Sequence, residues 1–92
     1  MPRRKKKMEF IIASFRSRAH TIKFYNLLRA NGVGVELVNT PKEAGVGCGL
    51  SIKFKKEQLS FVKQGVSRVN LPSFAGFFAV KEIGGRRITR LI

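Results

Sequence analysis

Met8-Glu9-Phe10-Ile11-Ile12-Ala13-Ser14-Phe15-Arg16-Ser17-Arg18-Ala19-His20-Thr21-Ile22-Lys23-Phe24-Tyr25-Asn26-Leu27-Leu28-Arg29-Ala30-Asn31-Gly32 is the stretch on which the fold turns. Met8 to Phe15 is aromatic, β-branched and apolar with little alternation, which reads as a central strand. Ser17 then stands where a helix N-cap belongs, and no glycine or proline interrupts the run that follows. Thr21, Phe24, Tyr25 and Leu28 fall at i, i+3, i+4 and i+7, so they form one buried helical face. Asn31-Gly32 is a helix stop.

Outward from this unit, Val33 to Val38 alternates as a second strand with Val33, Val35 and Leu37 facing inward. A glycine-rich loop follows. Cys48 to Lys55 then alternates again, with Cys48, Leu50, Ile52 and Phe54 on one side and Gly49, Ser51, Lys53 and Lys55 on the other. Lys56 to Arg68 places Leu59, Val62 and Val66 at helical spacing, with Gly65 weakening its end. Asn70 and Pro72 mark a turn, Phe74 to Val80 reads as a fourth strand, and Gly84-Gly85 ends it. The order β-α-β-β-α-β predicts an α+β ferredoxin-like sandwich, an antiparallel sheet with both helices on one face. Residues 1–7 read as a basic disordered tail and 8–85 as a single domain. Residues 86–92 read either as a basic tail or as a short extra strand.

Nineteen basic residues against five acidic ones, a formal charge of +14 over 92 residues, favour anionic partners. Arg3 to Lys7 are all basic, and Met8 offers an alternative translation start. No run is apolar enough to span a bilayer and no cleavage pattern follows the basic block, so neither membrane insertion nor secretion is expected. One cysteine excludes an internal disulfide and fits a reducing cytoplasm. One cysteine with one histidine makes no structural zinc site, and no cofactor is expected. The acidic residues are scattered, which leaves no carboxylate pair for hydrolysis, and no Gly-Lys-Ser/Thr follows the glycines to make a phosphate-binding loop.

The chemistry that remains is the thiol of Cys48. Glycines flank it, so its neighbours present no side chain to block an approaching partner. In the predicted topology the end of the first strand lies beside the start of the third, which brings Arg16, Ser17, Arg18 and His20 towards it. Cations, a helix N-terminus and the backbone N–H groups of Gly45, Gly47 and Gly49 all stabilise a thiolate and raise its reactive fraction. Lys42 adds to that field. The plain alternatives are a small buried cysteine closing a strand, glycines serving turn geometry, and a solvated His20.

Phe15-Arg16-Ser17, Leu27-Leu28, Pro41-Lys42-Glu43 and Cys48-Gly49-Leu50 together resemble a family of small bacterial selenium/sulfur carrier-like proteins, formerly a domain of unknown function. The similarity covers roughly residues 8 to 66. It implies that Cys48 carries sulfur or selenium as a persulfide or selenosulfide, with Pro41, Lys42, Glu43 and Gly49 shaping its loop. The implied partners are a persulfide donor such as a cysteine desulfurase and an acceptor enzyme, which makes the chain a carrier rather than a turnover enzyme. It departs from the family at Tyr25, where a glutamate is common, and in its basic tail.

The competing reading is a small basic module on RNA or ribosomal surfaces, with a structural cysteine and phosphate contacts through the tail. Phe24, Phe54, Phe61 and Phe78 are expected in the core. Ile11 and Phe77 are expected on the uncovered sheet face, as a homodimer contact or a stacking platform. The third strand offers that face only Gly49, Ser51 and Lys53, so the aromatic signature of an RNA-recognition motif is absent.

Overall fold

A strand that is apolar on both faces needs cover on both, and β1 (Lys7–Phe15) accordingly lies in the middle of a sheet. The computed structural model describes residues 7–45, 49–69 and 71–92. After β1 come α1 (Arg18–Ala30), β2 (Glu36–Asn39), β3 (Leu50–Phe54), α2 (Leu59–Val69), β4 (Phe74–Ile83) and β5 (Arg86–Leu91). The five strands run in the order β2-β3-β1-β4-β5, and every neighbouring pair is antiparallel. The α+β class expected from the sequence is thus observed, with two helices and an antiparallel sheet. The strand order differs from a four-stranded ferredoxin-like sandwich, because Arg86–Leu91 adds a fifth strand outside β4. Residues 1–6, most of the expected basic tail, and Asn70 lie outside the described residues. Lys7, assigned above to the tail, is already paired with Ile83.

Both helices pack on the same side of the sheet. Phe24 and Leu28 of α1 and Val62 of α2 share one buried cluster with Ile11, Ala13, Phe15, Ile52, Phe54 and Phe77. Phenyl rings chain along the helix side of the sheet and reach α1 at Phe24: Phe15 lies 5.6 Å from Phe24 and 5.3 Å from Phe74, Phe74 lies 5.0 Å from Phe77, and Phe77 lies 6.2 Å from Phe54. Tilted and edge-on contacts of this kind add about 0.5–1.5 kcal/mol per pair beyond burial. Gly65 sits where a Cβ would come within 3.2 Å of the Phe24 ring, so its lack of a side chain lets α2 close on α1.

The face opposite the helices is not open. Ile12, Phe78 and Val80 are buried there, with Phe10, Val38 and Ala44 packed against them. The cover is the loop after β2, whose short 3-10 turn at Lys42–Ala44 reaches across the sheet to β5. This corrects the expectation for Ile11 and Phe77, which are buried beneath the helices, while Ile12 and Phe78 take the opposite face. Phe61, expected in the core, is 56% exposed on α2. Leu37, expected inward, is exposed because β2 is an edge strand with no neighbour beyond it. Among the described residues no helix is long and apolar enough to cross a membrane.

Candidate functional site

The loop between β2 and β3 is a strap anchored at its base. Asn39 is paired with Leu50, so the chain leaves and re-enters the sheet at adjacent positions. The Thr40 N–H donates to the Gly49 carbonyl at 2.9 Å and closes that base. Pro41, buried and extended at φ −60°, directs the chain over the sheet, and the N–H of Ala44 donates back to the Pro41 carbonyl at 3.0 Å. Among the described residues of the loop, Gly45 at φ 63° and Gly49 at φ 89° adopt positive φ. A Cβ at either would meet nothing within 4 Å, so the demand for glycine is conformational rather than steric. Gly47 and Cys48 lie outside the described residues. Glu43 contributes its backbone to the 3-10 turn.

Under the base of the strap three hydroxyls form a chain. Thr40 Oγ1 is hydrogen bonded to Ser51 Oγ at 2.6 Å, and Ser51 Oγ to Ser14 Oγ at 2.8 Å. Ser14 and Ser51 are fully buried, whereas Thr40 is partly exposed. Three O–H groups share two hydrogen bonds, which leaves one hydrogen over, on Ser14, Ser51 or Thr40. A buried hydroxyl hydrogen without an acceptor is costly, so the favoured direction is Ser14 to Ser51 to Thr40. That places the spare donor at the accessible end, beside Gly49, where an anion or solvent can accept it. The sequence held one signal for this: Ser14 interrupts the apolar run from Phe10 to Phe15.

The register Ser14↔Ser51 puts the end of β1 beside the start of β3, as the topology argument required. Arg16, Ser17 and Arg18 follow directly. Ser17 caps α1 by accepting the His20 N–H at 3.2 Å, and the Thr21 hydroxyl donates to its carbonyl at 3.0 Å. Arg16 and Arg18 are exposed at this end of the molecule. His20 is drawn the other way: its Nδ1 is hydrogen bonded to the Ser73 hydroxyl at 2.5 Å, while the Arg16 N–H donates to the Ser73 carbonyl at 2.7 Å. Ser73 leads into β4, on the side of β1 away from β3, and no local pattern marks its part. Lys42 rides on the strap across the sheet from α1, so the sheet separates it from Arg18. β3 is described from Leu50, with Gly49 left-handed before it, and the expectation that Cys48 shares the side of Leu50, Ile52 and Phe54 falls outside the described residues.

Fold and site together define a small two-layer α+β protein in which a glycine-hinged strap, seated on buried hydroxyls, carries the sole cysteine of the chain. The family described as "Putative Se/S carrier protein-like" matches residues 10–74, more than half of the chain, and the protein belongs to that family. No curated protein and no solved structure matches it.

Proposed function

We propose that the protein carries sulfur or selenium on Cys48 between a donor and an acceptor protein in the cytoplasm. The observation that carries this reading is the family match, which spans the strap and both strands that hold it. The Cys48 thiolate attacks the terminal sulfur (or selenium) atom of a donor's persulfide-type group. One bond forms to that atom as the donor's own bond to it breaks, and the donor leaves as its thiolate. The second half repeats this with the roles exchanged: an acceptor nucleophile takes the terminal atom and the Cys48 thiolate is released. No net oxidation or reduction of the protein is involved.

Supporting features lie around the strap. The spare hydroxyl donor at Thr40 and the strap's own cation Lys42 suit an anionic sulfur species, Arg16 and Arg18 add positive charge at the end of β1 beside the start of β3, and Pro41 and Gly49 shape the described part of the loop. In fold terms, β2-β3-β1-β4 and the two helices form a ferredoxin-like unit to which β5 is appended. Mass spectrometry after incubation with a cysteine desulfurase and cysteine tests the proposal. The expected result is the added mass of one sulfur atom, removed by dithiothreitol and absent from Cys48→Ala. A Cys48 thiol that alkylates no faster than free cysteine and gains no sulfur overturns it.

A further inference from the structure

We propose that β5 is a docking edge for an extended acidic segment of a partner protein, which adds to the sheet as a sixth strand. This inference does not rest on the carrier chemistry: the 3-10 turn at Lys42–Ala44 touches β5 from the face opposite the helices, whereas the docking edge is the outer edge of β5 with its helix-side face.

Three observations converge on it. First, β5 is an edge strand of six residues, longer than β2 at the other edge with four, so its outer row of backbone N–H and C=O groups faces outward. Second, the helical layer stops before reaching β5. A groove of about 510 Å³ is left beside the start of α2, lined by Ile11, Leu59, Ala79, Lys81, Ile88 and Arg90. Ile88 and Ile92 are about half exposed on this side, at 51% and 49%. Third, charge and apolar residues alternate along it. Arg86, Ile88, Arg90 and Ile92 share the helix-side face, whereas Arg87, Thr89 and Leu91 share the other. Arg87 is engaged by Glu82, but among the described residues neither Arg86 nor Arg90 is in an ion pair.

The alternation selects the partner. A strand laid along β5 presents acid, apolar, acid, apolar at every second position to meet Arg86, Ile88, Arg90 and Ile92. The same pattern disfavours a second copy of this chain in the register that keeps apolar against apolar. In the antiparallel register that sets Ile88 against Ile88, Arg86 of one copy faces Arg90 of the other, and like charges directly opposed are destabilising. The net charge of +14 opposes that pairing further.

The test uses the full chain and two labelled peptides with equal β-propensity, Ile-Thr-Glu-Thr-Ile-Thr-Glu and Ile-Thr-Lys-Thr-Ile-Thr-Lys, followed by fluorescence anisotropy and amide NMR. The acidic peptide is expected to bind about tenfold more tightly at low salt, from two reversed cross-strand charge pairs, with the gap narrowing at high salt. Amide shifts should centre on Arg86 to Leu91. Arg86→Glu/Arg90→Glu should reverse the preference, and Arg86→Gln/Arg90→Gln should abolish it with the fold intact by circular dichroism. Equal binding of both peptides, no binding at millimolar concentration, or shifts centred away from β5 would each overturn the proposal. So would a dimer through β5 in sedimentation, or an RNA oligonucleotide that occupies this edge in preference to the acidic peptide.

Discussion

Replacing Ser51 by alanine removes the middle member of the Ser14–Ser51–Thr40 chain, and its consequences follow from where the two ends lie. Ser14 is fully buried, and its one side-chain hydrogen bond among the described residues is to Ser51. Losing that partner leaves a buried hydroxyl unpaired, which costs about 1–3 kcal/mol. Thr40 is partly exposed and recovers a hydrogen bond from water, so it adds little. A net loss of about 2 kcal/mol is expected, which at about 4–8 °C per kcal/mol for a domain of this size lowers Tm by about 8–16 °C. Thermal unfolding by circular dichroism measures it, and hydrogen exchange at the Thr40 amide should quicken as the base of the strap loosens. The decisive comparison is Ser14→Ala/Ser51→Ala. With both hydroxyls gone no buried donor is stranded, so the double variant should be more stable than Ser51→Ala alone, by about 1 kcal/mol. A Ser51→Ala protein that melts with the wild type, or a double variant whose losses simply add, would refute the reasoning.

Two other predictions test the frame around the strap. Gly65→Ala gains about 1 kcal/mol of helix propensity, but its Cβ meets the Phe24 ring at 3.2 Å, and that ring is fully buried against Phe15. Overpacking of about 1–3 kcal/mol should therefore win. Gly65→Ala is expected to lower the urea midpoint, and Gly65→Ala/Phe24→Leu to recover part of the loss. Ser17→Ala removes the cap of α1 and should cost about 1 kcal/mol in the same assay, with Ser17→Asp close to wild type.

What could be read from the chain, and what could not, divides along one physical line. The β1–α1 unit was legible because its signals are local: an uninterrupted apolar strand, Ser17 as cap, Thr21, Phe24 and Leu28 on one helical face, and Asn31-Gly32 as stop. The β3 alternation was legible for the same reason, since Ile52 and Phe54 face the helices while Ser51 and Lys53 do not. Period two names a face only when the other face is polar. Along β1 and β4 both faces are apolar, so Ile11 and Phe77 were assigned to the wrong side and Phe78 was not separated from the helix-side core.

The sequence by itself determined the composition of the elements, the class of the fold, the charge and the family, all of which reside in short stretches of neighbouring residues. Only the tertiary structure decided that the glycine loop is a strap over the second face, that Ser14, Ser51 and Thr40 meet although 37 and 11 residues separate their pairs, and that His20 turns to Ser73. It also decided that the last residues extend the sheet as β5. These contacts join positions distant in the chain, and their side chains are placed by the pairing of β1 with β3 and β4. No local pattern records that pairing.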